Sequence, residues 1–173
     1  MSVETNEIDE DQKHLGRAVY LALEAERLGN LPIGAVITLE GRVIAEAGNS
    51  ILVPCYHPGR HAEMEALGRV PVELWPRSRE MTLYTTLEPC LMCMGAMVLH
   101  GMGRIMFGAR DTEGGAGEIL SHLPAYYAGG VAVPQLSGPL LPDACDALYE
   151  RVIARFDNLP CGKDYDSTSN SDM

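Results

Sequence analysis

No apolar run in this 173-residue chain reaches the roughly 18 residues that a membrane-spanning helix requires. The opening Met1-Ser2-Val3-Glu4-Thr5-Asn6-Glu7 is acidic and polar, unlike a secretory signal. Five cysteines (Cys55, Cys90, Cys93, Cys145, Cys161) make an odd number without framework spacing, which argues against a disulfide scaffold. Together these absences predict a cytoplasmic, reducing setting. Internal repeats and a second domain are also missing, and the length suits one domain with its own core. Basic runs are missing too, so the chain offers no strip for holding phosphate backbones.

The formal net charge of −11 is concentrated in the ends. Residues 1–11 hold five acids and no base, and residues 157–173 hold four acids beside Lys163, which leaves residues 12–156 with 15 acids against 12 bases. The ends are expected to be solvated, disordered tails (1–11 and 157–173) flanking a single domain over 12–156.

What is present is an alternation of periods. Apolar residues recur at helical spacing over Gln12–Leu28 and stop at Gly29-Asn30. Pro32–Leu39 reads as a buried strand, Glu40-Gly41 as a turn and Arg42–Ala47 as the return strand of a hairpin. After a loop from Gly48 to Arg60, helical pattern resumes at His61. Further strands are expected at Met81–Thr86, Arg104–Gly108 and Val131–Val133. A helix over Cys90–Leu99, apolar nearly all round, should be buried on most of its surface, and Asp143–Phe156 closes the domain as an amphipathic helix. The fold class this predicts is α/β: a three-layer α/β/α sandwich around a mixed five-stranded sheet.

Chemistry is concentrated in Thr86-Leu87-Glu88-Pro89-Cys90-Leu91-Met92-Cys93. Cysteines three apart at a helix start share one face, and the positive helix end favours their thiolate forms. Alone, the pair reads equally as half of a Cys₄ zinc site, a redox pair or two small buried hydrophobes. His61-Ala62-Glu63 opens another predicted helix and offers an imidazole as third ligand. Three protein ligands leave the fourth position of a tetrahedral zinc for water, as in catalytic sites. Glu63, two residues on, diverges from His61 on a helix; it suits proton exchange with that water better than ligation.

His-x-Glu combined with Pro-Cys-x-x-Cys resembles the signature of zinc-dependent nucleobase deaminases, the cytidine deaminase-like superfamily. Pro32-Ile33-Gly34-Ala35-Val36, Asn49, Gly95-Ala96-Met97 and Phe107-Gly108-Ala109-Arg110-Asp111 extend the likeness from about residue 13 to residue 156. In pattern it is nearest to bacterial tRNA-specific adenosine deaminases and guanine deaminases. The resemblance implies one catalytic zinc on His61, Cys90 and Cys93, with Glu63 as proton shuttle. The exocyclic amine of a ring is replaced by a carbonyl and ammonia leaves. It also implies that Asn49 and the Ala62 N–H contact the base or sugar, that Ile33 lines the pocket, and that the protein is a homodimer.

The chain departs from the tRNA-editing pattern twice. His57-Pro58-Gly59-Arg60 stands where that branch has Asp-Pro-Thr-Ala, and Leu99-His100-Gly101 follows where His-Ser-Arg is frequent. Arg60 or His57 thereby becomes a candidate contact for a substrate group absent from the tRNA case, the alternative being that Arg60 points to solvent or pairs with Glu63 or Glu65. The closing helix offers only Arg151 and Arg155 for phosphates. A free base or nucleoside is therefore expected ahead of adenosine in tRNA. Rival readings from other classes are a structural zinc module with a fourth protein ligand and a thiol-redox protein using Cys90 and Cys93. Pro58-Gly59 argues against His57 as a ligand. The methionines around the zinc helix belong in the core or at a subunit interface. Trp75 and Tyr126-Tyr127 serve either loop packing or ring stacking.

Overall fold

In the computed structural model, which describes residues 3–130 and 133–156, the chain begins with a 25-residue helix, α1 (Val3–Arg27). Asp11, Leu15, Ala18, Ala22 and Ala25 recur at helical spacing along it and are all buried. The expected N-terminal tail is thereby corrected, because from Val3 onward the acidic stretch forms the first turns of α1. Two physical reasons apply. Carboxylates near a helix N-terminus are favoured by the positive end of the backbone dipole. Asp11 is also tied to the sheet, accepting from the Tyr84 hydroxyl at 2.7 Å and from both Arg104 terminal nitrogens at 2.8 and 2.7 Å. The C-terminal tail expected over 157–173 lies outside the described residues.

β1 (Gly34–Leu39) and β2 (Arg42–Gly48) form the expected hairpin. Its two turn residues, Glu40 and Gly41, both have positive φ (52° and 70°), the backbone that matches a two-residue turn to the twist of its strands. α2 (Ala62–Leu67) follows the 49–60 loop. A 3-10 stretch over Val72–Glu80 then leads into β3 (Met81–Leu87). α3 (Leu91–Leu99) crosses to β4 (Arg104–Ala109), and beyond α4 (Ala125–Gly130) come β5 (Gln135–Ser137) and α5 (Pro142–Phe156).

The sheet order is β2-β1-β3-β4-β5, antiparallel up to β3 and parallel from β3 to β5. α1 and α5 cover one face and α2, with α3 beside it, the other, giving the expected three layers. All six residues of β1 are buried, as suits a strand with partners on both sides and helices on both faces.

Two expectations change in detail. Of the strand expected at Val131–Val133, residues 131 and 132 lie outside the described residues and Val133 is in no strand. β5 begins at Gln135, because Pro134 has no N–H to give and pairing starts where the Gln135 N–H reaches the Gly103 carbonyl at 2.9 Å. α3 is buried on one side only. Cys93, Met94, Met97 and Val98 face inward, whereas Leu91 (62% exposed), Met92 and Leu99 (57%) face outward. As an outer-layer helix, α3 has the sheet on one side only.

Candidate metal centre and active site

Two helix starts bring the metal donors together. Cys90 is the N-cap of α3 in extended backbone (φ −68, ψ 173), and Cys93 returns to the same face one turn later. His61 caps α2 in a similar conformation (φ −65, ψ 152). The donor atoms of His61, Cys90 and Cys93 lie within 4.8 Å of one another, and His61 Nδ1 is 3.6 Å from Cys90 Sγ. Around a tetrahedral zinc, with Zn–N about 2.0 Å and Zn–S about 2.3 Å, nitrogen and sulfur stand about 3.5 Å apart. The donor set therefore fits one zinc ion. The Pro58 carbonyl steadies the imidazole, as outer partners of metal-binding histidines do. Among the described residues no fourth donor joins the group, and His57 is exposed, with its Nδ1 accepting the Gly59 N–H at 3.1 Å.

The two sulfurs are electrostatically unequal. A hydrogen bond from the Cys93 thiol, helped by His61, holds Cys90 down to about 4 despite burial. That bond, burial and the nearby Glu63 push Cys93 up. Cys90 in turn raises His61.

Glu63, only 3% exposed, stands directly behind these donors. Thr85 Oγ1 donates to its Oε1 at 3.0 Å, and its Oε2 lies 3.5 Å from Cys93 Sγ. Burial is the first cause of its raised pKa, so this carboxyl takes up a proton more readily than a solvated glutamate. A carboxyl fixed on one oxygen and adjustable in charge suits proton carriage.

A cavity of ≈ 390 Å³ opens onto His61, Glu63 and Cys90. Ile33 lines this cavity beside Ile51. Ala62 is fully buried as the first residue of α2, where helix N–H groups lack intrahelical partners. Asn49 is 2% exposed, and its N–H donates to the Ile33 carbonyl at 2.8 Å. Its Oδ1 accepts the Ile51 N–H at 3.1 Å, while its Nδ2 has no partner among the described residues. Asn49 does not itself line this cavity: it is tied to the wall residues Ile33 and Ile51 by those two hydrogen bonds and lies in the groove beside α1 that Arg60 also lines.

Arg60 is placed otherwise than the substrate-contact reading has it. Its guanidinium makes a two-point pair with Glu65 (2.9 and 3.1 Å) and lines a separate groove beside α1. An opposite charge one helical turn into α2 holds it there. Trp75 packs edge-on against His100 (4.9 Å), and Tyr126 against Tyr127 (5.1 Å); none of these rings lines the cavity.

Sequence reasoning missed the opposite wall. Tyr149, Val152, Ile153 and Phe156 of α5 face the metal donors across the cavity, spaced i, i+3, i+4, i+7. That spacing was visible, but only the fold shows what the stripe faces. Glu88, Asp111 and Glu113 make an acidic edge to the same cavity.

A family model described as the cytidine and deoxycytidylate deaminase zinc-binding region matches residues 8–109. The chain belongs to that family. A tRNA-specific adenosine deaminase of Bacillus subtilis is 39% identical over 116 residues, covering 66% of this deaminase-family chain and 71% of its relative. A structure from a study of A-to-I editing by tRNA:A34 deaminases at the wobble position of transfer RNA is 30% identical, with TM-score 0.61, covering 79% of this chain and 98% of that one. The guanine deaminase from Nitrosomonas europaea shares the fold at 24% identity, with TM-score 0.62 and coverage of 82% and 84%. Zinc is the metal of the family, and His61, Cys90 and Cys93 supply the donors that fit it.

Proposed function

We propose that this protein is a hydrolytic deaminase that replaces the exocyclic amine of a nucleobase ring by a carbonyl and releases ammonia. The observation that carries the reading is Glu63, a buried carboxyl anchored by Thr85 directly behind three convergent metal donors at the floor of a ring-sized cavity. Bound zinc supplies an activated water. Glu63 takes a proton from the water and delivers it to a ring nitrogen. It then takes the second proton, from the hydroxyl newly bonded to the ring carbon, and passes it to the departing amine as the C–N bond breaks and the carbonyl forms. Asn49 Nδ2 and the Ala62 N–H donate to acceptors on the base, and Ile33 with the α5 stripe packs on the ring faces.

Adenosine in tRNA is the substrate that the relatives support best, through the 39% identity with a tRNA-specific adenosine deaminase. This reverses the order expected from the sequence. A second reading, a free base or nucleoside, is favoured by charge. Arg60, Arg69, Arg104, Arg110 and Arg151 are all paired with carboxylates, and Asp111 and Glu113 edge the cavity, which leaves few cations for phosphates. The outward apolar side of α3 supports a homodimer, which light scattering in solution tests. For the substrate, the test is ammonia release from adenosine, guanine, adenine and cytosine beside inosine formation in an anticodon stem-loop. Inosine in the RNA alone supports the first reading; turnover of a free base or nucleoside alone supports the second.

A further inference from the structure

The turn that carries Cys90 and the glycine-rich segment 111–117 are clamped together, with one side chain inside the clamp. Glu88 is 5% exposed and contributes to the cavity wall beside Asp111, Glu113 and Gly114. Its Oε1 accepts the Gly117 N–H at 3.1 Å, and its Oε2 lies 3.8 Å from Arg110 Nη1. Its own N–H donates to the Ala109 carbonyl at 2.8 Å, and the Ala116 N–H donates to the Pro89 carbonyl at 3.0 Å. Gly115 forms a β-bridge with Cys90 itself.

One of the glycines follows first from where the carboxylate sits. A Cβ on Gly117 would stand 2.6 Å from Glu88 Oε1 and 2.8 Å from Leu136 Cδ2, whereas one on Gly115 would meet the Asp111 carbonyl oxygen first, at 2.5 Å, with Glu88 Oε2 at 2.9 Å. At its other end the segment is tied to the opposite wall. Asp111 Oδ1 accepts the Glu113 and Gly114 N–H groups at 3.0 and 2.9 Å and the Tyr149 hydroxyl of α5 at 2.9 Å.

From this geometry we infer that Glu88 is a positioning residue, holding segment 111–117 as the wall that sets where the substrate ring lies and taking no part in proton transfer. Its effect on turnover rests on the deaminase reading; the clamp does not. A carboxylate suits the place because its oxygens accept a backbone N–H and face a guanidinium at the same time. Glutamine keeps the acceptor for Gly117 and loses the attraction to Arg110.

The test uses the zinc-loaded full chain with Glu88→Ala, Glu88→Gln, Gly117→Ala and the Glu88→Ala/Gly117→Ala double variant. In Glu88→Ala, amide exchange across 111–117 should accelerate by roughly 10- to 100-fold, the range for a lost hydrogen bond to a charged group. Exchange over β1 and β4 should be unchanged, with one zinc per chain. Glu88→Gln should stay near wild type. KM for the anticodon stem-loop, guanine or adenosine, whichever is turned over, should rise about tenfold in Glu88→Ala with kcat within threefold. Gly117→Ala should also raise KM, and the double variant should fall short of the sum, because removing the carboxylate makes room for the new methyl.

Wild-type exchange across 111–117 in Glu88→Ala overturns the inference. A fall in kcat at constant KM, or strict additivity in the double variant, overturns it as well. If the wild type turns over none of the purine and pyrimidine bases, their nucleosides and the anticodon stem-loop, the deaminase reading falls, while the exchange rates still decide the clamp.

Discussion

Replacing Glu63 with glutamine exchanges one carboxylate oxygen for an amide nitrogen and changes the shape very little. Thr85 still donates to Oε1, so the side chain should keep its place. The proton carrier is gone. General acid–base catalysis by one positioned group contributes about 10² to 10⁴ in rate. Replacing an amine by a carbonyl needs a proton at a ring nitrogen and again at the leaving amine, so about 10³ or more in kcat should be lost, about 4 kcal/mol. Zinc content should remain one per chain and KM should change little. The stability of zinc-free protein should move the other way. Burial raises the Glu63 pKa, so the folded chain holds that proton more tightly than the unfolded one. The wild type therefore loses stability as pH rises from the ordinary value of 4.5 through the raised one. Glutamine has no such cost. Zinc-free Glu63→Gln should melt above wild type at pH 7, and the gap should close as the pH is lowered to about 4. Ammonia release, metal analysis and melting curves at two pH values suffice. A kcat within tenfold of wild type refutes the role assigned to Glu63, and a lower melting point at pH 7 refutes the burial argument.

If Asn49 Nδ2, which has no partner among the described residues, meets the base as proposed, Asn49→Ala should raise KM by roughly 10- to 100-fold with a smaller effect on kcat; steady-state kinetics checks this. Arg60→Ala should leave kcat/KM within about threefold, because the guanidinium is held by Glu65 away from the cavity. Asp11→Asn should lower unfolding stability by roughly 2–3 kcal/mol in denaturant titrations, through loss of the charge on its hydrogen bonds to Arg104 and Tyr84. Burial alone would raise the Asp11 pKa, but those hydrogen bonds bring it below its ordinary 3.8. Its stabilising contribution is therefore present above that pH and lost as pH falls through the lowered value.

The metal donors were legible because each depends on local spacing: Cys90 and Cys93 share a helix face whatever surrounds them, and His61 opens a helix two residues before Glu63. The hairpin was legible for a similar reason, since Glu40-Gly41 interrupts two β-like runs. Features set by distant partners were not. The acidic N-terminus reads as a tail until Arg104, 93 residues on, is seen to bind Asp11. For Arg60 the pair with Glu65, only five residues on, was already one of the readings open in the sequence, and the structure shows that pair. The stripe on α5 is periodic in sequence, but nothing local says that it walls the metal site rather than the core. The outward side of α3 is apolar, so composition alone placed it inside.

The most direct test of the central claim is ammonia release by purified, zinc-loaded protein, assayed against the purine and pyrimidine bases, their nucleosides and the anticodon stem-loop. One ammonia should appear per carbonyl formed on at least one of these substrates, and Glu63→Ala should abolish it while keeping one zinc per chain. Zinc-loaded protein that releases no ammonia from any of them, or a Glu63→Ala variant as active as the wild type, would contradict a hydrolytic centre built from His61, Glu63, Cys90 and Cys93.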